Sequence, residues 1–185
     1  MVWDWRTGAL VAEVRPEHRA VYAEESPDRS LLLTVTSPYR RSMAQVWDRG
    51  SQTEVATIQK EQERIAEARF LVDGKWVLTR YFRNASPSTW ESRTGEELFV
   101  LEGHSRSVLA IAVSKGGQGA ATGGADRTVG HWNANTGRQE AVLAGHPGPP
   151  LGVEYSPVGG LVAAYGSSWA TVWRVGLESP PAASK

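Results

Sequence analysis

Three side chains near the middle of the chain could carry acyl-transfer chemistry. His104, Thr122 and Asp126 offer an imidazole, a hydroxyl and a carboxylate. In a nucleophile triad the base activates the hydroxyl and the acid orients the base. Thr122, however, stands in the run GAATGG, with no sharp elbow and no oxyanion loop around it. The four histidines, His18, His104, His131 and His146, could ligate a metal. No two of them stand at i, i+4 or in an H-x-H pattern, so no metal is expected. GGQG and GGAD could cradle a phosphate, but neither leads into a helix with a following Lys. Hairpin turns account for both. With no nucleophile elbow, metal set or phosphate loop, no cofactor is expected either.

The elements that hold these residues are short strands. Gly103 to Trp132 reads GHSRSVLAIAVSKGGQGAATGGADRTVGHW. The apolar runs VLAIAV, GAATGG and TVGHW are separated by SKGGQ and ADR. Runs of this length between Gly-rich and Asp-containing turns are hairpin signals. The closing Trp recurs. Trp3, Trp47, Trp90, Trp132 and Trp173 stand in the contexts VWDWRTG, VWDRGSQTE, TWESRTGEE, HWNANTGRQ and VWRVG, at intervals of 44, 43, 42 and 41 residues. A turn recurs in phase, at Ser26, Leu71, Ser114 and Ser156. From each Trp to the next turn is 23 or 24 residues, whereas from each turn to its own Trp the distance shortens through 21, 19, 18 and 17. The length variation therefore falls in the hairpin that precedes the Trp strand.

This pattern resembles the WD-repeat β-propeller family, whose repeats run ~40–45 residues with a Gly-His and Trp-Asp signature. The resemblance implies an all-β propeller of four-stranded antiparallel blades, about four in number, with an open or incomplete ring. It implies one propeller segment over residues 1–174, divided at 1–14, 15–58, 59–101, 102–143 and 144–174, the first and last repeats being partial. A polar, Pro-rich tail over 175–185 is expected to be disordered. Strand order within a blade is a, b, c, d. QKEQERIAEARF offers a rival helix, but Glu63/Glu67 and Lys60/Arg64 are like-charge i, i+4 pairs. The repeat phase places strand a there instead.

The resemblance also gives His104, Thr122 and Asp126 a second reading. In the family a His, a Ser or Thr, an Asp and the Trp form a hydrogen-bonded relay inside each blade. The matching residues here are His104, Thr122, Asp126 and Trp132. The other repeats depart from the pattern. One has His18, Thr34 and Trp47, but Arg41 for the Asp. The next has Thr79 and Trp90, with Asn84 for the Asp and Glu61 or Gln62 for the His. The last keeps His146 and Trp173, with Ala163 or Ala164 for the hydroxyl and Ser167 for the Asp.

Lys plus Arg and Asp plus Glu each number 20, so the net charge is zero, which disfavours a long phosphate-tracking groove and hence nucleic acid as partner. No Cys is present, which excludes disulfides and thiolate metal sites and fits a cytoplasmic protein. No apolar run approaches ~18 residues, so no membrane-spanning helix is expected. In a meander blade the b–c and d–a connections share one end, and recognition residues concentrate in such loops. Tyr39, Arg40, Arg41, Arg83, Asn84, Arg106, Arg127 and Trp169 fall there, with Ser168. Their chemistry suits an acidic or phosphorylated protein partner. The resemblance thus implies a non-catalytic scaffold for protein–protein interaction. The competing reading is a propeller-based hydrolase, or an accessory propeller or fragment of a signalling enzyme, which requires acids or His in the central channel. The repeat count leaves unfilled edges, so self-association, or pairing with a missing propeller portion, is a further expectation.

Overall fold

The computed structural model describes residues 2–3, 10–14, 16, 19–36, 42–84 and 86–175. Seventeen strands follow in chain order: β1 (Val2–Trp3), β2 (Leu10–Ala12), β3 (Ala20–Glu25), β4 (Leu31–Thr36), β5 (Met43–Asp48), β6 (Glu54–Ile58), β7 (Ile65–Leu71), β8 (Trp76–Tyr81), β9 (Ser88–Glu91), β10 (Glu97–Val100), β11 (Val108–Val113), β12 (Gly119–Gly124), β13 (Val129–Asn133), β14 (Gln139–Leu143), β15 (Gly152–Tyr155), β16 (Leu161–Tyr165) and β17 (Ala170–Arg174). A 3-10 turn, Val72–Gly74, joins β7 to β8. The strands form antiparallel meanders: a pair β1–β2, three four-stranded sheets β3–β6, β7–β10 and β11–β14, and a three-stranded sheet β15–β17. The segment 65–71, with its helix-like charge spacing, is strand β7 and pairs with β8 from Ile65 opposite Tyr81 to Leu71 opposite Trp76.

Each sheet is a blade, and the interior blades bury both faces against their neighbours. This explains why the inner strands carry apolar residues at consecutive positions rather than in clean alternation. All six residues of β4, LLLTVT, are buried. Between the second and third blades lie Leu71, Leu78, Ile111, Ala120 and Trp132. Between the third and fourth lie Ala121, Val129, Val153, Val162 and Ala164. Between the first and second lie Leu33, Val46, Ala68 and Val77. On the first blade, Val14 packs against Leu32 and Trp47. Sheet packing follows chain order, and the arc does not close into a ring.

Backbone registers align the blades residue by residue. Ser26, Ser114 and Ser156 each donate their amide to the carbonyl five residues on, at Leu31, Gly119 and Leu161. Eight residues beyond the turn stands the hydroxyl that meets the Trp indole: Thr34, Thr79 and Thr122, with Ala164 in the last blade. From that position to its Trp the chain runs 13, 11, 10 and 9 residues. The repeat therefore varies in length almost wholly between strands b and c.

Candidate functional site

The third blade brings His104, Thr122, Asp126 and Trp132 into one hydrogen-bonded chain. Trp132 closes strand c and Thr122 lies on strand b, four residues before the b–c hairpin that holds Asp126. His104 sits in the d–a connection before β11. The Trp132 indole N–H donates to Thr122 Oγ1 at 2.8 Å. Thr122 Oγ1 lies 2.7 Å from His104 Nε2. His104 Nδ1 faces Asp126 Oδ2 at 3.0 Å. The carboxylate is an acceptor only, so Nδ1 carries the proton and Nε2 accepts from the Thr122 hydroxyl. Asp126 also accepts the Ser105 amide at 2.9 Å, the Thr128 amide at 3.1 Å and the Thr128 hydroxyl at 2.7 Å. Burial works against this carboxylate, but the bonds from Thr128, His104 and Ser105 outweigh it and hold Asp126 below its ordinary value.

Two glycines make room for this chain. A Cβ on Gly130 would stand 2.6 Å from Trp132 Nε1 and 2.9 Å from Thr122 Oγ1. A Cβ on Gly124 would collide with Asp126 Oδ1 and His104 Nδ1. The order carboxylate, imidazole, hydroxyl matches a nucleophile triad, but its accessibility does not. Thr122 is fully buried, and its oxygen already accepts from the indole. The His104 side chain is 1 % exposed. The hydroxyl is closed off, and its bonds tie strands b and c to the d–a connection.

The other blades solve the same hydrogen-bonding problem with different groups. In the first, Trp47 donates to Thr34 at 2.9 Å. His18 and Arg41 lie outside the described residues. In the second, Trp90 donates to Thr79 at 2.8 Å, and the Thr79 hydroxyl donates to Tyr81 Oη at 3.0 Å. Tyr81 is buried and occupies the place that His104 Nε2 holds in the third blade. The partner of the hydroxyl is thus Tyr81, not Glu61 or Gln62. The sequence signal was a Tyr two residues beyond the Thr on the same strand face. Asn84 accepts the Ser86 amide at 2.8 Å, as Asp126 accepts the Thr128 amide, and donates to Glu63 Oε1 at 2.6 Å.

The last blade has lost the hydroxyl, and its position is Ala164. The Trp173 indole turns to the Ala144 carbonyl at 3.3 Å. His146 donates Nδ1–H to the Gly148 carbonyl at 2.7 Å, while its Nε2 is buried with no partner. Trp169 lies flat on the His146 ring, centroids 4.8 Å apart and planes within 11°. Trp169 also borders an open groove of about 330 Å³ with Pro147, Pro149 and Leu151.

The loop end of the arc carries exposed Arg83, Arg106 and Arg127. Tyr39, Arg40 and Arg41 lie outside the described residues. Arg83 and Arg127 have left-handed backbone, φ 63° and 65°. Non-Gly residues pay about 1 kcal/mol there. Beside Arg83, Phe82 is 53 % exposed, with the Arg64 guanidinium 5.0 Å above its ring. Among the described residues none of Arg64, Arg83, Arg106 and Arg127 is in an ion pair. Strands a and b of the second blade are different. Glu67 bridges Arg69 and Arg80 at 3.2 and 2.9 Å, and Arg69 donates to Tyr22 Oη at 2.8 Å. Among the described residues no three His, Asp or Glu cluster as a metal site, and no helix is long and apolar enough to cross a membrane.

Comparisons with known proteins agree with this architecture. A family model described as "WD domain, G-beta repeat" matches residues 95–133, which span the fully braced chain of Trp132. An 85-residue stretch, 46 % of this chain, is 34 % identical to the Periodic tryptophan protein 2 homolog of Dictyostelium discoideum and covers 9 % of that protein. The chain thus spans about a tenth of that relative. The crystal structure of the computationally designed Ika4 protein superposes with a TM-score of 0.73 at 20 % identity, over 91 % of this chain and 99 % of that one. That likeness concerns the fold alone.

Proposed function

We propose that the chain is a member of the WD-repeat family, a reading supported by the repeat model over residues 95–133 and the 34 % identical stretch, and that it is a non-catalytic cytoplasmic scaffold that docks an acidic or phosphorylated protein on its loop end. One observation carries this reading: Arg83, Arg106 and Arg127 are exposed and, among the described residues, free of ion pairs on the end where hairpin length varies. Guanidinium groups left without carboxylates keep their planar donor forks for a partner's carboxylate or phosphate. Two of the three sit on left-handed backbone that glycine would adopt at lower cost. Retaining Arg there favours use of the side chain. Phe82 and the groove beside Trp169 add the apolar contact that an interface core requires. The cytoplasmic assignment rests on the absence of Cys.

The test is binding to an array of acidic peptides, each present with and without phosphoserine. The wild-type chain should prefer the phosphorylated members, and the preference should weaken with salt. Replacing Arg83, Arg106 and Arg127 together by Glu should abolish it without moving the thermal melt. Equal binding by the folded triple variant would exclude this face.

A further inference from the structure

The backbone registers pick out one position on strand a of each blade. Glu24 pairs with Leu33, Arg69 with Leu78, Ala112 with Ala121 and Glu154 with Ala163. Each of those partners stands one residue before Thr34, Thr79, Thr122 or Ala164, so the four positions are equivalent. The blades bring them together, and all four line one open cavity of about 280 Å³. Its lining comes from β3, β7, β11 and β15, the strand a of four successive sheets, and falls wholly between Glu24 and Tyr155.

The charges in and beside this cavity are unevenly satisfied. Glu67 accepts from Arg80 at 2.9 Å, and from Nε and Nη2 of Arg69 at 3.2 Å. Arg69 Nη1 donates to Tyr22 Oη at 2.8 Å. A guanidinium has five N–H donors, so these bonds leave one donor on each Nη of Arg69, whose side chain is 39 % exposed. Glu24 Oε2 accepts the Phe70 amide at 3.1 Å. Burial pushes the Glu24 carboxyl up, against the pull of that amide and of Arg69, and a cation beside it favours its charged form. Glu154 is exposed and, among the described residues, in no ion pair. Three carboxylates, Glu24, Glu67 and Glu154, thus stand against two guanidiniums, Arg69 and Arg80. Ala112 leaves the space open, and Val113 and Val153 line it with methyl groups.

We propose that this cavity binds a small basic zwitterion of amino-acid size, its carboxylate on the remaining Nη donors of Arg69 and its two ammonium groups facing Glu24 and Glu154. Its methylenes lie on Val113 and Val153. A carboxylate is an acceptor that suits the planar fork of a guanidinium, and an ammonium supplies three N–H donors to a carboxylate. The net positive charge of such a ligand cancels the excess carboxylate. Pockets for drug-sized ligands run ~300–1,000 Å³, and a cavity at the foot of that range suits a smaller one. The site shares no residue with the Arg-bearing loop end, so neither reading rests on the other.

Isothermal titration of the whole chain with L-ornithine tests this. Ornithine should bind one molecule per chain, and the affinity should weaken with salt. 1,4-Diaminobutane lacks the carboxylate and L-norvaline lacks the second ammonium, and each should bind about tenfold more weakly or worse. Glu154→Gln changes an exposed residue, so it should keep the wild-type circular dichroism and weaken ornithine by about tenfold. Ala112→Leu fills the cavity and should abolish binding; Ala112→Val replaces it if that variant loses its β spectrum. Arg69→Lys should erase the preference for ornithine over 1,4-diaminobutane, because a single ammonium does not reproduce the fork. The triple Glu variant of the loop end should bind ornithine as wild type does. No heat from ornithine at millimolar concentration, equal binding of ornithine and 1,4-diaminobutane to wild type, or binding untouched by both Glu154→Gln and the filled cavity would each overturn the proposal.

Discussion

Asp126→Ala isolates the worth of the hydrogen-bonded chain in the third blade. The carboxylate accepts four donors, from His104, Ser105 and twice from Thr128. Ser105 is exposed and its amide rehydrates when the carboxylate is removed. Thr128 is half-buried, and its hydroxyl lies 3.2 Å from His104 Nδ1. The large cost falls on His104, whose side chain is 1 % exposed and whose Nδ1–H faces the lost acceptor. Leaving one buried donor unsatisfied costs about 1–3 kcal/mol. With partial rescue by Thr128, about 2 kcal/mol is expected, or a Tm lower by roughly 4–8 °C for a chain of this size. Asp126→Asn keeps an amide oxygen for the imidazole and should lose about half as much. The pH dependence has a defined sign. The folded value of Asp126 is lowered, so its charge contributes stability above the ordinary carboxylate range, and that contribution is lost as pH falls through the folded value. Thermal unfolding of wild type and Asp126→Ala should converge at acid pH and diverge above about pH 4. A Tm unchanged at pH 7, or a gap that persists undiminished in acid, would refute the argument.

Four further outcomes follow from the same accounting. Gly130→Ala forces a methyl against the Trp132 indole nitrogen and Thr122 oxygen, and should cost about 1–3 kcal/mol and shift Trp fluorescence. Tyr81→Phe should cost less, about 0.5–1 kcal/mol, because the Thr79 hydroxyl can turn to the Ser88 carbonyl 3.2 Å away. Thr79→Val strands the buried Trp90 N–H and should exceed it in chemical denaturation. Ala164→Ser returns a hydroxyl to the strand position that Thr122 holds beside His104 in the third blade, and if it reaches the unpartnered His146 Nε2 it should raise stability by about 0.5–1.5 kcal/mol; a lower Tm would show that the site cannot admit the oxygen.

The chain's architecture was legible because the signals that specify it are local. Five Trp at slowly shortening intervals, turns in phase, and short apolar runs follow from hairpins whose chemistry lies within a few residues. Even the site of length variation, between Thr34 and Trp47 and its counterparts, could be read by subtraction. The match of His104, Thr122, Asp126 and Trp132 also follows from spacing, since each stands at a set distance from a turn. Their closing into one chain of hydrogen bonds depends on Gly124 and Gly130, whose missing Cβ atoms matter only when three strands are side by side.

What escaped was settled by packing between segments distant in sequence. Tyr81 stands in for an imidazole because its ring reaches the space beside Thr79, and a hydroxyl does not announce its partner. His146 Nε2 is buried without a partner in the blade whose hydroxyl position is Ala164. Val172 and Ala23 look like ordinary strand residues. One strand's residue pattern does not show that both are exposed, since that depends on what packs on the sheet. Hydrogen-bonded turns and periodic Trp thus belong to the sequence by itself, because they are made within one hairpin. Which polar groups find partners, and which apolar faces stay uncovered, is decided only when the blades meet, because burial is a property of the assembled arc.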